Sequence, residues 1–180
     1  MTLFERRIRA EWELLVALAK INPGRITDLQ MDDSIFHVRL LATPALRLNA
    51  LPPFEASSII AAHTLLIDFP VHYPAIPLTL HLQEPVTHPN IHPGNGFCCL
   101  WSRHHLNNNV EHALHKIVSM LGWKLHNADA DNVMQPDSLS LLSSHHEALA
   151  TLLHAEPLRG INHPQVPVTA TSPLRRARLS

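Results

Sequence analysis

Residues 88–100 read HPNIHPGNGFCCL and combine a proline-anchored asparagine, a glycine-containing bend and two adjacent cysteines. A cysteine thiol is a nucleophile that can carry a thioester. A fixed asparagine amide can donate a hydrogen bond to the oxyanion that forms when a thioester is attacked. We therefore interpret this stretch as the centre of a candidate active site and the rest of the chain as its scaffold and partner surface.

The composition indicates a single globular domain. The 180 residues are 46% hydrophobic and 16% charged, and the net charge is −1 with histidine neutral. A charge near zero gives no electrostatic case for a nucleic-acid or membrane-surface partner. No apolar run approaches the ~18 residues of a membrane span, and the N-terminus lacks the unbroken apolar core of a signal peptide. We expect a cytoplasmic protein.

The cysteine and histidine content argues against a disulfide framework or a metal centre. Cys98 and Cys99 are the only cysteines, and adjacent cysteines cannot form such a framework. Among the 15 histidines, His112 and His115 share a helix face, but no third ligand is evident near them. We expect neither a metal nor a cofactor.

Hydrophobic periodicity predicts a helix followed by four strands. Apolar residues at helical spacing cover residues 3–21, and Asn22-Pro23-Gly24 ends the helix. The short connections between the strands predict an antiparallel meander. The predicted strands are residues 26–31, 35–41, 59–69 and 76–82.

The second half of the chain is predicted to be helical. Asn109 is a good N-cap for a helix with an apolar stripe from Val110 to Leu121, and residues 138–153 form a last helix. From Ala155 the composition becomes proline-punctuated and basic. We predict one domain over residues 1–154 and an irregular or disordered tail over residues 155–180.

Two motifs resemble those of the ubiquitin-conjugating enzymes. Residues 69–77, FPVHYPAIP, match the family's FPxxYPxxPP up to its last proline. His88-Pro89-Asn90, followed by Gly96 and Cys99-Leu100, matches HPN…GxxCL. The order of elements is also similar, and the resemblance covers about residues 3–153. It implies the α+β ubiquitin-conjugating-enzyme fold, with the domain over residues 1–154 as its catalytic domain.

The resemblance implies a thioester mechanism. A cysteine accepts ubiquitin or a ubiquitin-like modifier from an activating enzyme, and an amine of a target protein then attacks the thioester. Asn90 would stabilise the oxyanion or order the active-site loop, and His88 and Pro89 would have structural roles in the turn. An acidic residue would activate the incoming lysine. By distance from the cysteine, Asp131 is the first choice and Asp129 the second.

The resemblance also bears on partners. It implies that Arg6, Arg7 and Arg9 contact the activating enzyme; a solvated helix face is the alternative. Ala75 replaces an aromatic that many RING-type ligases contact, and residues 106–109 replace the family's Trp-Ser-Pro element. Both departures put ligase binding in doubt. They fit the divergent conjugating enzymes of bacterial operons, which act in antiviral defence beside an activating enzyme, a ubiquitin-like protein and a deconjugating protease.

The spacing leaves the choice of cysteine open. Counted forward from the HPN tripeptide, Cys98 has the usual offset; counted from Gly96 or back from Leu100, Cys99 fits. One residue inserted in the bend Pro93-Gly94-Asn95 would reconcile the two, because loops absorb insertions readily. We predict Cys99 as the nucleophile, with Cys98 as the second choice and as a buried neighbour pointing the other way.

Two other functions are possible for a chain with these residues. An inactive conjugating-enzyme variant or RWD-type binding module typically lacks the cysteine and often the asparagine, whereas this chain has both. A cysteine hydrolase would pair Cys99 with His104 or His105, but it would need an orienting group and a substrate cleft that nothing in the sequence marks. We therefore predict a conjugating enzyme.

Overall fold

The structure is a computed structural model that describes residues 1–103, 105–127, 129 and 133–161. Within these ranges the chain forms three α-helices and six β-strands. The helices are α1 (Leu3–Ile21), α2 (Val110–Leu121) and α3 (Asp137–Leu152). The strands are β1 (Ile26–Asp32), β2 (Ile35–Leu40), β3 (Ala45–Leu46), β4 (Ile59–Ile60), β5 (His63–Asp68) and β6 (Thr79–Leu82).

Helix α1 starts at a capping box. The Thr2 hydroxyl accepts a hydrogen bond from the Glu5 N–H (3.1 Å), and the Glu5 carboxylate accepts one from the Thr2 N–H (2.9 Å). The apolar stripe of the helix is buried at Ile8, Leu15 and Leu18. The predicted limits of this helix are confirmed.

Four strands form an antiparallel sheet in the order β1-β2-β5-β6. Phe36 of β2 pairs with Ile67 of β5, and Ile67 pairs in turn with Leu80 of β6. These three side chains are buried in one cluster with residues of α1 and α2. The order of these four strands in the sheet is also their order along the chain, so the predicted meander is confirmed.

The prediction of one long strand over residues 59–69 is wrong, because this segment forms two strands. β4 pairs with β3 in a separate two-stranded sheet, and β5 begins only at His63. The buried His63 ring bonds through Nε2 to the Thr43 carbonyl (2.8 Å), which ties the start of β5 to the loop after β2. A mostly apolar segment such as this one gives no sign of where a chain changes its sheet partner.

The last predicted strand and the last helix are shifted slightly. β6 begins at Thr79, after Pro77, which has no N–H to donate to a sheet. α3 lies within one residue of its predicted limits, but His145 breaks its helical geometry (φ −133°, ψ 24°). The His145 ring lies edge-on to Phe54, with 5.6 Å between ring centroids.

Residues 155–161 pack against the domain without forming a helix or strand. Leu158 is buried in the main core. The Asn22 side chain donates to the Arg159 carbonyl (2.9 Å) and accepts from the Arg159 N–H (2.7 Å). Residues 162–180 lie outside the described residues, so the division into a domain and a tail stays a prediction.

Candidate active site

The turn at the start of the site is held by a buried histidine. His88 Nδ1 accepts a hydrogen bond from the Asn90 N–H (3.1 Å), and the ring lies edge-on to Trp123 at 5.6 Å. Burial lowers the pKa of His88 to about 3. The ring is therefore neutral at physiological pH, with Nδ1 as an acceptor. This arrangement favours the structural role predicted for His88.

Asn90 connects three parts of the site. Its backbone carbonyl accepts from the Cys99 N–H (2.9 Å), and its side-chain oxygen accepts from the Asn127 N–H (2.7 Å) in the segment after α2. Because a backbone N–H is only a donor, the amide oxygen must face it. The Nδ2 group is thereby left as the donor of this nearly buried side chain.

The bend after the turn is fixed by short-range hydrogen bonds and one glycine. His92 Nδ1 accepts from the Asn95 N–H (3.2 Å), and Asn95 Oδ1 accepts from the Phe97 N–H (3.0 Å). Gly96 has φ +67°, and a Cβ there would lie 1.8 Å from the Leu82 carbonyl oxygen. The bend therefore admits only glycine at this position without a backbone shift.

The two cysteines face opposite sides of the segment that follows the bend. The N–H of Cys98 donates to the Leu80 carbonyl of β6 (2.9 Å), and its side chain is buried. Burial raises the pKa of the Cys98 thiol, so the thiolate is disfavoured there. Cys99 is exposed. Alternation of side chains along extended backbone accounts for the difference.

Cys99 opens onto a cleft of about 350 Å³ between the active-site turn and α2. Asn90 and Cys99 therefore line the same cleft. This placement is required if the Cys99 thiol and the Asn90 amide are to act on one acyl group. The wall of the cleft also contains Leu100, Ser102, Lys116, Met120 and Asn127.

Lys116 is a cleft residue that no motif in the sequence marks. Its Nζ donates to the Leu100 carbonyl (2.9 Å) and lies 4.6 Å from the centre of the Trp101 ring. Burial lowers the pKa of Lys116, and an electrostatic interaction with Cys99 opposes that effect. The sequence feature that could have indicated it is its i, i+4 spacing from Met120, which places both side chains on one side of α2.

The three arginines predicted to bind an activating enzyme lie on α1. Arg6 and Arg9 are exposed. Arg7 is partly buried, forms a 3.1 Å ion pair with Glu11 and lies 5.4 Å from the centre of the Tyr73 ring. Arg7 is thus engaged within the fold, and the activating-enzyme contact stays a prediction for all three.

The predicted acidic residue is only partly covered by the structure. Asp131, the first choice, lies outside the described residues. Asp129 is exposed, and its N–H donates to the side-chain oxygen of Asn127 (3.0 Å), the residue that also bonds Asn90. His104 of the hydrolase alternative also lies outside the described residues, and His105 is exposed.

Metal-binding groups and membrane-spanning helices are both absent from the described part of the chain. Three or more histidine, cysteine, aspartate or glutamate residues are nowhere grouped there so that they could hold a metal ion. Across the same residues, each helix is too short or too polar to span a lipid bilayer.

Solved structures share this architecture. A ubiquitin-conjugating enzyme from Trypanosoma cruzi superimposes with a TM-score of 0.59 at 14% identity, over 82% of this chain and 95% of that one. The H. polymorpha ubiquitin-conjugating enzyme Pex4p, solved in complex with the soluble domain of Pex22p, gives 0.58 at 18% identity, over 84% and 97%. The chain has the ubiquitin-conjugating-enzyme fold.

The sequence is nevertheless far from those of these structural neighbours. A Plasmodium yoelii ubiquitin-conjugating enzyme covers 85% of this chain with a TM-score of 0.56, yet the identity is 18%. No family model matches the sequence, and no curated protein does so. At this identity the likeness shows the fold alone.

Proposed function

We propose that the chain is a conjugating enzyme that accepts ubiquitin or a ubiquitin-like modifier from an activating enzyme and transfers it to an amine of a target protein. The observation that carries the proposal is the exposed Cys99 in one cleft with Asn90, beside a buried Cys98. An inactive binding module would need neither the exposed thiol nor the fixed amide.

The proposed reaction has two acyl transfers through Cys99. The Cys99 thiolate attacks the modifier's thioester on the activating enzyme, so one C–S bond forms and another breaks. A target amine then attacks the Cys99 thioester, a C–N bond forms, the sulfur leaves as thiolate and the amine loses a proton.

Asn90 is proposed to serve the second transfer. In each attack the carbonyl oxygen becomes an oxyanion, and a preorganised donor stabilises it. The 2.7 Å bond from the Asn127 N–H orients the amide oxygen of Asn90, and Nδ2 is the group that remains to donate. Asp131, or Asp129 as the second choice, would take part by activating the incoming amine.

The proposal includes the partners and setting expected from the sequence. Arg6 and Arg9 are exposed and suited to an acidic surface of an activating enzyme. Ala75 and the replaced loop at residues 106–109 favour transfer without a RING-type ligase. We also propose that the protein acts in the cytoplasm and is encoded in a bacterial antiviral operon. The identity of the genes beside its coding sequence tests this directly.

A thioester assay tests the proposed function. The purified chain is incubated with ATP, ubiquitin and a ubiquitin-activating enzyme, or with the modifier and activating enzyme encoded beside it, and run on a gel without reductant. We expect one added band that reductant removes. Cys99→Ala should abolish the band, and Cys98→Ala should keep it.

The same assay distinguishes the alternatives. Loss of the band in Cys98→Ala alone would move the nucleophile to the other cysteine. No band with either modifier pair would favour the inactive binding module. A hydrolase would instead react with an electrophilic peptide probe in the absence of ATP and activating enzyme.

A further inference from the structure

Lys116 places a primary amine beside the proposed nucleophile. It lines the cleft that contains Cys99 and Asn90, and its Nζ is 2.9 Å from the carbonyl oxygen of Leu100, the residue after Cys99. An amine is the group that the proposed transfer consumes. The cleft therefore contains both a thioester-forming thiol and a possible acceptor.

The contacts of this amine are reversible. Among the described residues, Nζ has one hydrogen bond, to Leu100, and one cation–π contact, with Trp101. A lysine side chain has a flexible four-carbon stem, so Nζ can leave these partners without moving the backbone. Burial also lowers the pKa of Lys116, which increases the share of the neutral, nucleophilic amine.

Competing amines in the chain are few. The sequence contains three lysines, Lys20, Lys116 and Lys124, all within the described residues. Lys20 is exposed at the end of α1, and Lys124 is exposed with its Nζ 3.3 Å from the Ala155 carbonyl. Lys116 is the lysine that shares the cleft with Cys99, and shared geometry raises the effective concentration of a reactant by orders of magnitude.

We propose that Lys116 is an intramolecular acceptor, so that the acyl group carried on Cys99 is transferred to Lys116 Nζ and the chain modifies itself. The inference rests on the proposed function, because it needs a thioester on Cys99. The neutral amine attacks the thioester carbonyl, the C–N bond forms and the C–S bond breaks. Cys99 leaves as thiolate, and Nζ gives up a proton to solvent.

The product would be a self-limited enzyme. An amide on Lys116 is stable to reductant, and the attached chain would occupy the cleft from which Cys99 reacts. Each such event would remove one molecule from the active pool until the amide is hydrolysed by a protease of matching specificity.

A chemical acyl donor tests this without an activating enzyme. The full chain is incubated with a short N-acetylated, lysine-free peptide that ends in glycine as its 2-mercaptoethanesulfonate thioester. The peptide exchanges onto Cys99, and hydroxylamine then cleaves thioesters but leaves amides. Peptide mapping by mass spectrometry measures the amide at each lysine as a fraction of the thioester formed.

We expect the amide at Lys116 to exceed that at Lys20 or Lys124 by about tenfold or more. Cys99→Ala should reduce it to the level of direct acylation, Lys116→Arg should remove it, and Lys124→Arg should leave it unchanged. A Cys99 thioester without excess amide at Lys116 would overturn the inference and leave the proposed function standing. Failure with an activating enzyme but success with the peptide would overturn only the proposed function.

Discussion

Single residues decide which sulfur faces the cleft. Cys98 and Cys99 are adjacent, yet one thiol is buried against β6 and the other is exposed. The orientation depends on the bend before them, because one residue more or less would exchange the two faces. At Gly96, next to that bend, any residue with a Cβ would force the backbone to shift.

We predict that Gly96→Ala destabilises the fold. The new Cβ would collide with the Leu82 carbonyl oxygen at 1.8 Å, so the backbone must shift. We expect the free energy of unfolding to fall by ~3 kcal/mol or more, measured by urea denaturation. Cys98 should also become more accessible to alkylation as the bend moves.

Gly24→Ala is the matched control for that substitution. Gly24 has a similar φ of +73°, but no atom of the described residues lies within 4 Å of the position of a Cβ. We expect this variant to lose only about 1 kcal/mol, the cost of the left-handed backbone conformation for a residue with a Cβ. Equal losses in the two variants would show that the collision with Leu82 is relieved at no cost.

At the scale of elements, one buried carboxylate joins α1 to α2. Glu11 is 2% exposed and pairs with Arg7 of its own helix. It accepts hydrogen bonds from the Tyr73 hydroxyl (2.8 Å) and from the Val110 N–H at the start of α2 (2.9 Å). The negative charge therefore lies at the positive end of α2, the helix that carries Lys116.

The element-scale prediction is that Glu11→Ala destabilises the fold strongly. It leaves the Arg7 guanidinium and the Val110 N–H without this acceptor, so we expect a loss of ~3 kcal/mol or more by urea denaturation. Tyr73→Phe, which removes one hydroxyl, should lose ~1–2 kcal/mol. The double variant should lose less than the sum of the two, because both changes break one network.

Glu13→Ala is the control for this prediction. Glu13 is on the same helix but is exposed, so its removal should change the free energy of unfolding by no more than about 0.5 kcal/mol. A similar cost for Glu11→Ala and Glu13→Ala would mean that the carboxylate does not hold the two helices together.

At the scale of the whole molecule, the buried histidines make stability depend on pH. The pKa of His88 is about 3 in the folded chain against 6.5 for the free side chain, because burial disfavours the charged ring. Burial also lowers the pKa of His63. Below pH 6.5 the unfolded chain binds protons that the folded chain does not, so acidification favours unfolding.

We therefore predict that the free energy of unfolding falls as the pH decreases from about 6.5 towards 3. One pKa unit corresponds to about 1.4 kcal/mol, so His88 alone should account for ~2–3 kcal/mol between pH 6.5 and pH 4.5. Urea denaturation at pH 7.0, 5.5 and 4.5 measures the slope. The His88→Asn variant should take up close to one proton fewer on unfolding in acid, so its free energy of unfolding should depend less steeply on pH.

His146→Asn provides the comparison for that slope. His146 is exposed on α3, so its replacement should leave the pH dependence of stability as it is in the parent chain. If His88→Asn and His146→Asn had the same slope, burial of His88 would not be the source of the acid sensitivity.

Local signals in the sequence determined the helices and the order of the main strands. α1 and α2 follow from apolar residues at helical spacing, and Asn109 marks the start of α2 as its N-cap. Short connections were enough to predict the antiparallel meander. The two motifs were enough to indicate the fold and to bring Asn90 and Cys99 together as candidates.

Only the tertiary structure decided the features that depend on distant partners. The apolar run at residues 59–69 is split because its ends pair with different strands, and a run of apolar residues is the same in either case. Asn22 holds Arg159 across 137 positions. Lys116 meets Leu100 across 16 positions. Such contacts depend on how the elements pack, and no local pattern of side chains carries that information.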